Sequence, residues 1–321
     1  MYRFDPKLHL VAKQPSKVHL LTDLGYKKDI GVSPMAASEA FQLFTPEAIQ
    51  IMRKEIQKPQ VHKNHSFSSN IAACQLRGYA KDHAPFTYEA WNHPDTLKFM
   101  SSIAGIDIVP AMDYEIAHIN HSVKVTTASK DQSASRESLS NNKTDEDDDE
   151  KPIVGWHTDS YPFVCVLMMS DCTGMVGGET AVRTADGRII KIRGPTQGCA
   201  VMLQGRYILH QAMRARGAQE RITSVTSFRP KSALAPDDTE LRTVRPVSNL
   251  SELYYDFAEY RLKMMEERVE AEREKMRAHR VRGDAMDTLE HKEFLGKMVR
   301  FAEQSDRELV EEGKVQKGYI V

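Results

Sequence analysis

The chain has 321 residues, of which 40% are hydrophobic and 28% charged, as is typical of a globular protein large enough to bury a substantial core. Its formal net charge of -1 excludes the basic footprint of a nucleic-acid-binding protein. The N-terminal residues lack the apolar segment of a secretory signal and the longest apolar run, 163–169, is too short to span a bilayer, so we expect a cytoplasmic protein with no membrane partner.

The four cysteines show no Cys-x-x-Cys spacing, which argues against a zinc ribbon or a dithiol redox motif. Cys165 and Cys199 lie in apolar runs, and we expect both to be buried, reduced thiols.

The first third of the chain has the patterns of helices, after an irregular stretch to about residue 32. Thr45-Pro46 opens a helix through Ile56, because threonine caps helices and proline fits their first turn. We predict a second helix over 71–79 and a third from His93-Pro94-Asp95 to about Ile103.

Beyond residue 105 the hydrophobic period changes to two, and alternation over 114–120 predicts a strand. A low-complexity, acidic segment at about 126–151 follows, and we expect a disordered, solvated insertion, with a regulatory or docking segment as the alternative. Residues 152–230 then form a series of short β-like runs, which favours a sandwich or barrel. These runs are 153–157, 163–169, 180–183, 189–192, 200–204, 207–211 and 222–228, and Asp186-Gly187 predicts a hairpin between two of them.

The last ninety residues again have helical periodicity. We expect the apolar residues of the first tail helix, namely Leu253, Phe257, Tyr260, Met264 and Met265, to pack on the β core. A coiled coil is the alternative, although few heptads are sustained. The chain is therefore divided into a mainly helical support region at 1–112, a β core at 113–230 with its insertion, and a helical region at 231–321.

The chemistry of this chain is indicated by His157-Thr158-Asp159 and by a later His210. Two imidazoles and one carboxylate are the ligand set that holds a non-haem Fe(II) on one face and leaves the other positions open. His157 lies on a β-like run, where residues two apart point to the same face, so its imidazole and the carboxylate of Asp159 can converge. The same pattern occurs at His93-Pro94-Asp95, and a looser form of it occurs at His291-Lys292-Glu293. Both lie in segments predicted to be helical, and we interpret both as coincidental.

Arg221 lies in another apolar β run, where a buried guanidinium needs a partner. A dicarboxylate co-substrate fits its planar fork, and Thr223, two residues on, faces the same side and offers a hydroxyl. The alternative is an ion pair between Arg221 and a glutamate on an edge strand.

Four motifs follow one another over about residues 113–230: His157-Thr-Asp159, Gly177-Gly-Glu-Thr180, His210 and Arg221-x-Thr223. This series resembles the motifs of the Fe(II)/2-oxoglutarate-dependent oxygenases. The fuller strings around these motifs are also similar to fungal oxygenases of secondary metabolism, some of which act on amino acids, including aziridine-forming enzymes. The family often has Arg-x-Ser where this chain has Thr223, which keeps the hydroxyl.

This resemblance implies an α+β fold whose core is a double-stranded β-helix, or jelly-roll, with N- and C-terminal helices packed around it. It implies an oxidoreductase, specifically a dioxygenase. In such an enzyme His157, Asp159 and His210 would bind Fe(II). Arg221 and Thr223 would bind 2-oxoglutarate, the co-substrate that is used together with O2. The expected partner is a small molecule that is hydroxylated, desaturated or cyclised. Candidate substrate contacts are Asn120 and His118 on the strand before the insertion, Tyr161 after the metal motif, and Arg183.

Three other functions stay open at this point. An iron-dependent jelly-roll enzyme without 2-oxoglutarate would leave Arg221 without a role, and a protein hydroxylase would use the acidic segment for docking. A non-catalytic jelly-roll binding protein would make the intact ligand set vestigial.

Overall fold

The computed structural model describes residues 2–70, 74–123, 152–193, 196–217 and 220–320, so the predicted insertion lies outside the described residues. Short helices and strands alternate in the first part of the chain. They are α1 Pro6–His9, β1 Val18–Leu20, β2 Met35–Ser38, β3 Phe41–Gln42, α2 Pro46–Ile56, α3 Pro59–His65, β4 Ser66–Phe67, β5 Cys74–Leu76, α4 Ala80–His83, α5 Pro85–Asn92, α6 Pro94–Ala104 and β6 Ile108–Pro110.

The middle of the chain is formed almost entirely by strands. They are β7 His118–Val123, β8 Pro152–His157, β9 Phe163–Met168, β10 Val176–Gly177, β11 Thr180–Arg183, β12 Ile189–Ile192, β13 Cys199–Leu203, β14 His210–Met213, β15 Ala215–Arg216 and β16 Glu220–Pro230. Two long helices, α7 Leu250–Arg282 and α8 Thr288–Glu308, follow. None of the helices in the described ranges is both long and apolar enough to cross a membrane.

All the strand pairs in the described residues are antiparallel, and they form two principal sheets. The larger sheet has ten strands in the order β1-β2-β13-β9-β16-β7-β5-β4, with β3 beside β13 and β6 beside β16. The smaller sheet has the order β12-β11-β14-β8. Mixed helix and antiparallel sheet is the class that the sequence predicted, and strands from both sheets line one cavity.

Two apolar clusters hold the helices on the sheets. Side chains of α2, α5 and α6 pack on the larger sheet, where Trp91 contacts Phe44 and Phe228 edge to face. The second cluster joins α7 and α8 to the cavity wall, and the predicted residues Leu253, Phe257, Tyr260 and Met264 are buried there. Burial of this apolar surface is the main stabilising contribution to the fold.

Local capping explains why two helix predictions are confirmed. The side chain of Thr45 accepts a hydrogen bond from the backbone nitrogen of Ala48 at the start of α2, and His93 caps α6 in the same way through Asp95. Cys165 and Cys199 are free and buried, as predicted, and burial raises the pKa of the Cys165 thiol above its ordinary value.

Three predictions of secondary structure are wrong. The strand predicted over 207–211 begins as a turn, and β14 starts only at His210 and ends at Met213. The helix predicted over 71–79 does not form in its described part, because Cys74–Leu76 is strand β5, which pairs with β7 and β4 in the larger sheet. The strand predicted from residue 114 begins only at His118, since Asp113–Glu115 forms a 3-10 turn and Ala117 has a left-handed φ of 59° that interrupts the extended backbone. The hairpin at Asp186-Gly187 is confirmed, because it joins the antiparallel pair β11 and β12.

Candidate metal centre

The three predicted metal ligands meet at one edge of the smaller sheet. His157 ends β8 and His210 begins β14, and the two residues are direct partners in the antiparallel register of these strands. Asp159 lies two residues beyond the end of β8. One ligand atom from each side chain can be chosen so that all three lie within 4.8 Å of one another.

The distances within this group are those of atoms arranged around a common point. His157 Nε2 lies 3.6 Å from Asp159 Oδ1, and His210 Nε2 lies 3.2 Å from Asp159 Oδ2. The two imidazole rings have centroids 4.4 Å apart and an interplanar angle of 53°. Both Nε2 atoms therefore face the same carboxylate.

Each imidazole is oriented by a backbone carbonyl two residues earlier in the chain. His157 Nδ1 lies 2.8 Å from the oxygen of Gly155, and His210 Nδ1 lies 3.0 Å from the oxygen of Ile208. A carbonyl oxygen only accepts, so each neutral ring carries its hydrogen on Nδ1 and directs a lone pair from Nε2. This is the arrangement by which outer hydrogen bonds orient metal-binding histidines.

The surroundings of the Asp159 carboxylate are those expected of a group that binds a cation. Its Oδ2 atom is buried, and no hydrogen-bond partner for it exists among the residues that the structure describes. Burial acts to raise the pKa of Asp159, and the positive charge of His210 and His157, when they are also protonated on Nε2, lowers it below its ordinary value; a bound cation would take the place of these protons. With the imidazole hydrogens on Nδ1, two nitrogen lone pairs and a carboxylate face each other, and a divalent metal fits this donor set.

Gly205 provides the space for this carboxylate, and the sequence analysis did not identify it. The backbone nitrogen of Asp159 donates to the oxygen of Gly205 at 2.9 Å. A Cβ atom added at Gly205 would lie 1.9 Å from Asp159 Oδ2, far inside van der Waals contact. The glycine in the string Gln204-Gly-Arg-Tyr207 is the sequence signal that could have identified this position.

Arg221 and Thr223 lie on β16 and line the same cavity as the three ligands. Arg221 Nε is shielded from solvent and, within the described ranges, has no hydrogen-bond partner. Desolvation lowers the pKa of this guanidinium, with a smaller opposing effect from Cys172. A guanidinium nitrogen that is buried without a partner is costly, so an anion that enters the cavity would be a suitable partner for this side chain.

The cavity has a volume of about 370 Å³ and a row of polar side chains across its wall in the larger sheet. Gln75, Asn120 and Thr223 are cross-strand neighbours on β5, β7 and β16. Gln75 and Asn120 are joined by a hydrogen bond of 3.0 Å between their amide groups. Asn120, predicted as a substrate contact, therefore stands beside the predicted 2-oxoglutarate residue Thr223.

His118 lies in a second polar row that the sequence analysis only partly identified. Its Nδ1 accepts a hydrogen bond of 2.9 Å from Arg77, whose other terminal nitrogen forms an ion pair with Glu115. Both members of this ion pair are almost fully buried, and both line the cavity. Burial, and then the charge of Arg77, hold the pKa of His118 well below its ordinary value, so the imidazole is neutral. Arg77 was missed because the segment around it was predicted as a helix.

The two remaining predicted contacts occupy different positions. Tyr161 is only 1% exposed and lines the cavity from within the cluster that holds α7 and α8. Arg183 is not among the described residues that line the cavity. Its guanidinium lies 4.9 Å from the ring centroid of Trp156, which does line it. Tyr161 therefore lines the cavity, whereas Arg183 contacts the cavity residue Trp156 and does not line the cavity itself.

Neither a protein-family model nor a curated protein sequence matches this chain. Among solved structures, an oxidoreductase of the 2OG-Fe(II) oxygenase family from Burkholderia pseudomallei is 14% identical, with a TM-score of 0.35 over 56% of this chain and 74% of that chain. A Pseudomonas putida prolyl-4-hydroxylase is 12% identical, with a TM-score of 0.36 over 69% of this chain and 98% of that one. The epimerase SnoN, in complex with Fe3+, alpha ketoglutarate and nogalamycin RO, is 12% identical, with a TM-score of 0.41 over 66% and 84%. At such low identities and TM-scores, these likenesses identify no family for the chain.

Proposed function

We propose that this protein is a non-haem Fe(II) oxygenase that uses 2-oxoglutarate and O2 to oxidise a small molecule. The observation that carries the proposal is the convergence of His157 Nε2, His210 Nε2 and Asp159, whose buried Oδ2 has no hydrogen-bond partner among the described residues. Two histidines and one carboxylate with open coordination positions are the ligand set of non-haem Fe(II) oxygenases. Fe(II) bound there supplies the redox chemistry with O2 that amino-acid side chains do not provide.

The protein contributes fixed ligand geometry to this chemistry. The carbonyls of Gly155 and Ile208 hold the two imidazoles in the tautomer that binds metal, so neither ring serves as an acid or a base. The space left by Gly205 allows Asp159 to approach from the third direction. Ligands oriented in advance in this way bind the metal with little reorganisation.

Arg221 supports 2-oxoglutarate as the co-substrate. Its guanidinium is desolvated, lacks a hydrogen bond from Nε to any described residue and lines the metal cavity. A carboxylate at the far end of a dicarboxylate would accept paired hydrogen bonds from it. Thr223, buried and two residues along the same face of β16, offers a hydroxyl to the same group.

The size of the cavity favours a small substrate, and its polar wall favours an amino acid or a secondary-metabolite intermediate of similar size as that substrate. Its volume of about 370 Å³ lies at the lower end of the range for small-molecule sites, and 2-oxoglutarate would occupy part of it. Arg77 and Glu115 line it as an ion pair with each other, and Arg77 Nε, which has no hydrogen-bond partner among the described residues, can donate to a polar group of the substrate. With His118 and Asn120 as further contacts, we propose hydroxylation, desaturation or ring closure of such a molecule, as the resemblance to fungal enzymes implies.

The test is an anaerobic reconstitution of the full chain with Fe(II), followed by addition of 2-oxoglutarate and O2. We expect one iron per chain and formation of succinate, with a rate that increases when an amino acid from a systematic panel is a substrate. Absence of both iron binding and succinate would overturn the proposal.

The same experiment separates the other candidate functions. O2 consumption that needs iron but not 2-oxoglutarate would indicate an iron enzyme of a different kind. Succinate formation stimulated only by polypeptides would indicate a protein hydroxylase. Iron binding without turnover of O2 or 2-oxoglutarate would indicate a binding protein.

A further inference from the structure

Residues Gly318 to Ile320 lie along one side of the metal cavity. They follow α8 and a stretch of chain that is held on α7, where Tyr254 donates a hydrogen bond of 2.7 Å to the oxygen of Val310. Ile320 is half-buried and is one of the residues that line the cavity. A segment far from the metal ligands in sequence is therefore part of the wall that surrounds the site.

Asn70 holds this segment with hydrogen bonds from its backbone and from its side chain. Its backbone nitrogen donates to the oxygen of Gly318 at 2.9 Å, and its side-chain nitrogen donates to the oxygen of Ile320 at 3.1 Å. Its side-chain oxygen accepts from the backbone nitrogen of Ile320 at 2.9 Å. A primary amide carries both a donor and an acceptor, so one side chain pairs with both backbone groups of Ile320. Because Asn70 itself lines the cavity, it fixes Ile320 at the edge of the site.

A second anchor ties the segment to a different wall of the cavity. The backbone nitrogen of Gly318 donates to the oxygen of Pro246 at 2.8 Å, within the 3-10 turn Arg245–Val247 that precedes α7. Gly318 has a φ of 75°, a conformation that favours glycine, and a Cβ atom there would lie 3.2 Å from the oxygen of Ser68. The segment is thus tied to the larger sheet's side at Asn70 and to the turn at Pro246, and it connects these two walls.

The segment adds an apolar side chain to a cavity that also has a polar wall. Ile320 shares the lining with Val244 and Val247, which are buried at the 3-10 turn. Gln75 and Asn120, joined by their amide groups, line the same cavity from the larger sheet. A small molecule that fills this space therefore meets hydrogen-bonding groups with one part and apolar side chains with another.

We infer that Ile320 contacts the substrate and selects an apolar side group, and that Asn70 is the positioning residue that holds Ile320 in place. The inference deepens the proposed function and rests on it, because such selection is expressed only when a substrate is turned over. It defines the substrate class as an amino acid with an apolar side group. One methylene group in an apolar pocket changes kcat/KM by about 10- to 200-fold, so a single isoleucine is large enough to decide between side groups.

The experiment measures succinate formation by the full, iron-loaded chain with pairs of amino acids of nearly equal size. The pairs are L-leucine with L-asparagine and L-methionine with L-glutamine. We expect the apolar member of at least one pair to raise succinate formation above the rate without amino acid, and the polar member to have a kcat/KM at least about 10-fold lower.

Variants of Ile320 connect this preference to one side chain. Ile320→Ala should lower kcat/KM for the apolar amino acid about 10-fold or more, and Ile320→Val, which removes a single methylene, should give a smaller decrease. The matched control is Ile189→Ala on β12, the same substitution at a position that is 51% exposed, which should leave kcat/KM unchanged. Circular dichroism should show natural folding for all three variants.

The role of Asn70 is tested by hydrogen exchange, which needs neither iron nor a substrate. Asn70→Ala removes both side-chain hydrogen bonds to Ile320, so exchange in the peptide that contains this residue should become about 10-fold faster or more. The same variant should raise KM for the apolar amino acid. Asn64→Ala, at an exposed position of α3, is the matched control and should change neither value.

The outcomes separate this inference from the proposed function. A natural chain that forms no succinate under any condition would overturn the proposed function and the substrate selection with it, while hydrogen exchange would still decide the role of Asn70. A natural chain that forms succinate but responds equally to both members of each pair, or an Ile320→Ala variant with unchanged kcat/KM, would overturn the assignment of Ile320 alone. Unchanged exchange in Asn70→Ala would overturn its positioning role.

Discussion

Replacing Gly205 by alanine should abolish tight metal binding without touching a metal ligand. The added Cβ would lie 1.9 Å from Asp159 Oδ2 and 2.8 Å from Asp159 Cγ, whereas ordinary contact begins at 3.4 Å. The carboxylate oxygen must therefore withdraw by 1.5 Å, the difference between 3.4 and 1.9 Å. Because the backbone nitrogen of Asp159 is tied to the oxygen of Gly205, the side chain has to rotate away from the histidines.

The expected loss follows from the narrow tolerance of metal coordination. Bonds between divalent metals and carboxylate oxygens vary by only about 0.2 Å, so a withdrawn Asp159 no longer coordinates. Altering a group that merely orients a ligand costs 10- to 100-fold in affinity, and displacing the ligand should cost at least about 100-fold.

The assay is anaerobic titration with Fe(II), and with Mn(II) as a spectroscopic substitute. The matched control is Gly155→Ala, since a Cβ at Gly155 meets nothing within 4 Å and the carbonyl that orients His157 is retained. Gly155→Ala should bind metal like the natural chain. If Gly205→Ala, folded normally by circular dichroism, binds metal as tightly as Gly155→Ala, the placement of Asp159 as a ligand against Gly205 is refuted.

Three further predictions concern single side chains of the site. His210→Ala should lose bound iron, whereas His93→Ala should retain it, because His93 caps a helix and is not a metal ligand. Equal iron contents of the two variants by elemental analysis would contradict the assignment of His210 as a ligand. Arg221→Ala should raise the concentration of 2-oxoglutarate that gives half-maximal succinate formation by about 30-fold or more, because the carboxylate loses the partner of its charge. The control Arg188→Ala, at an exposed position, should leave this concentration unchanged. Equal values for the two variants would exclude Arg221 as the anchor. The pKa of His118 lies well below 6.5 in the folded chain, so the unfolded imidazole takes up a proton first and the free energy of unfolding should decrease as pH falls below 6.5. His118→Asn should remove that part of the decrease in urea denaturation, and an unchanged pH dependence would show that His118 titrates normally.

Short-range patterns explain which sequence predictions succeeded. The caps at Thr45 and His93 act within three residues, and the alternation of β11 and β12 around Asp186-Gly187 is equally local. Such signals are contained in a few neighbouring residues, so no knowledge of the rest of the fold is needed.

Long-range pairing explains where prediction failed. Strand β5 was taken for a helix because its pairing with β7 and β4, and not a local pattern, makes Cys74–Leu76 extended. Arg77, which follows β5, was missed for the same reason, although its contacts with His118 and Glu115 form the polar wall of the cavity. Propensity is a weak prior when tertiary contacts compete with it.

The residue types of the candidate site can be named without a structure: two imidazoles, one carboxylate and one arginine in an apolar run. The sequence could not distinguish His157 from His93 by pattern alone, since both precede an aspartate by two residues. The tertiary structure decided that His157 meets His210 across the register of β8 and β14, and that Gly205 leaves room for Asp159 between them. The physical reason is that donor chemistry is a property of single residues, whereas their distances are set by strand pairing and close packing between segments far apart in the chain.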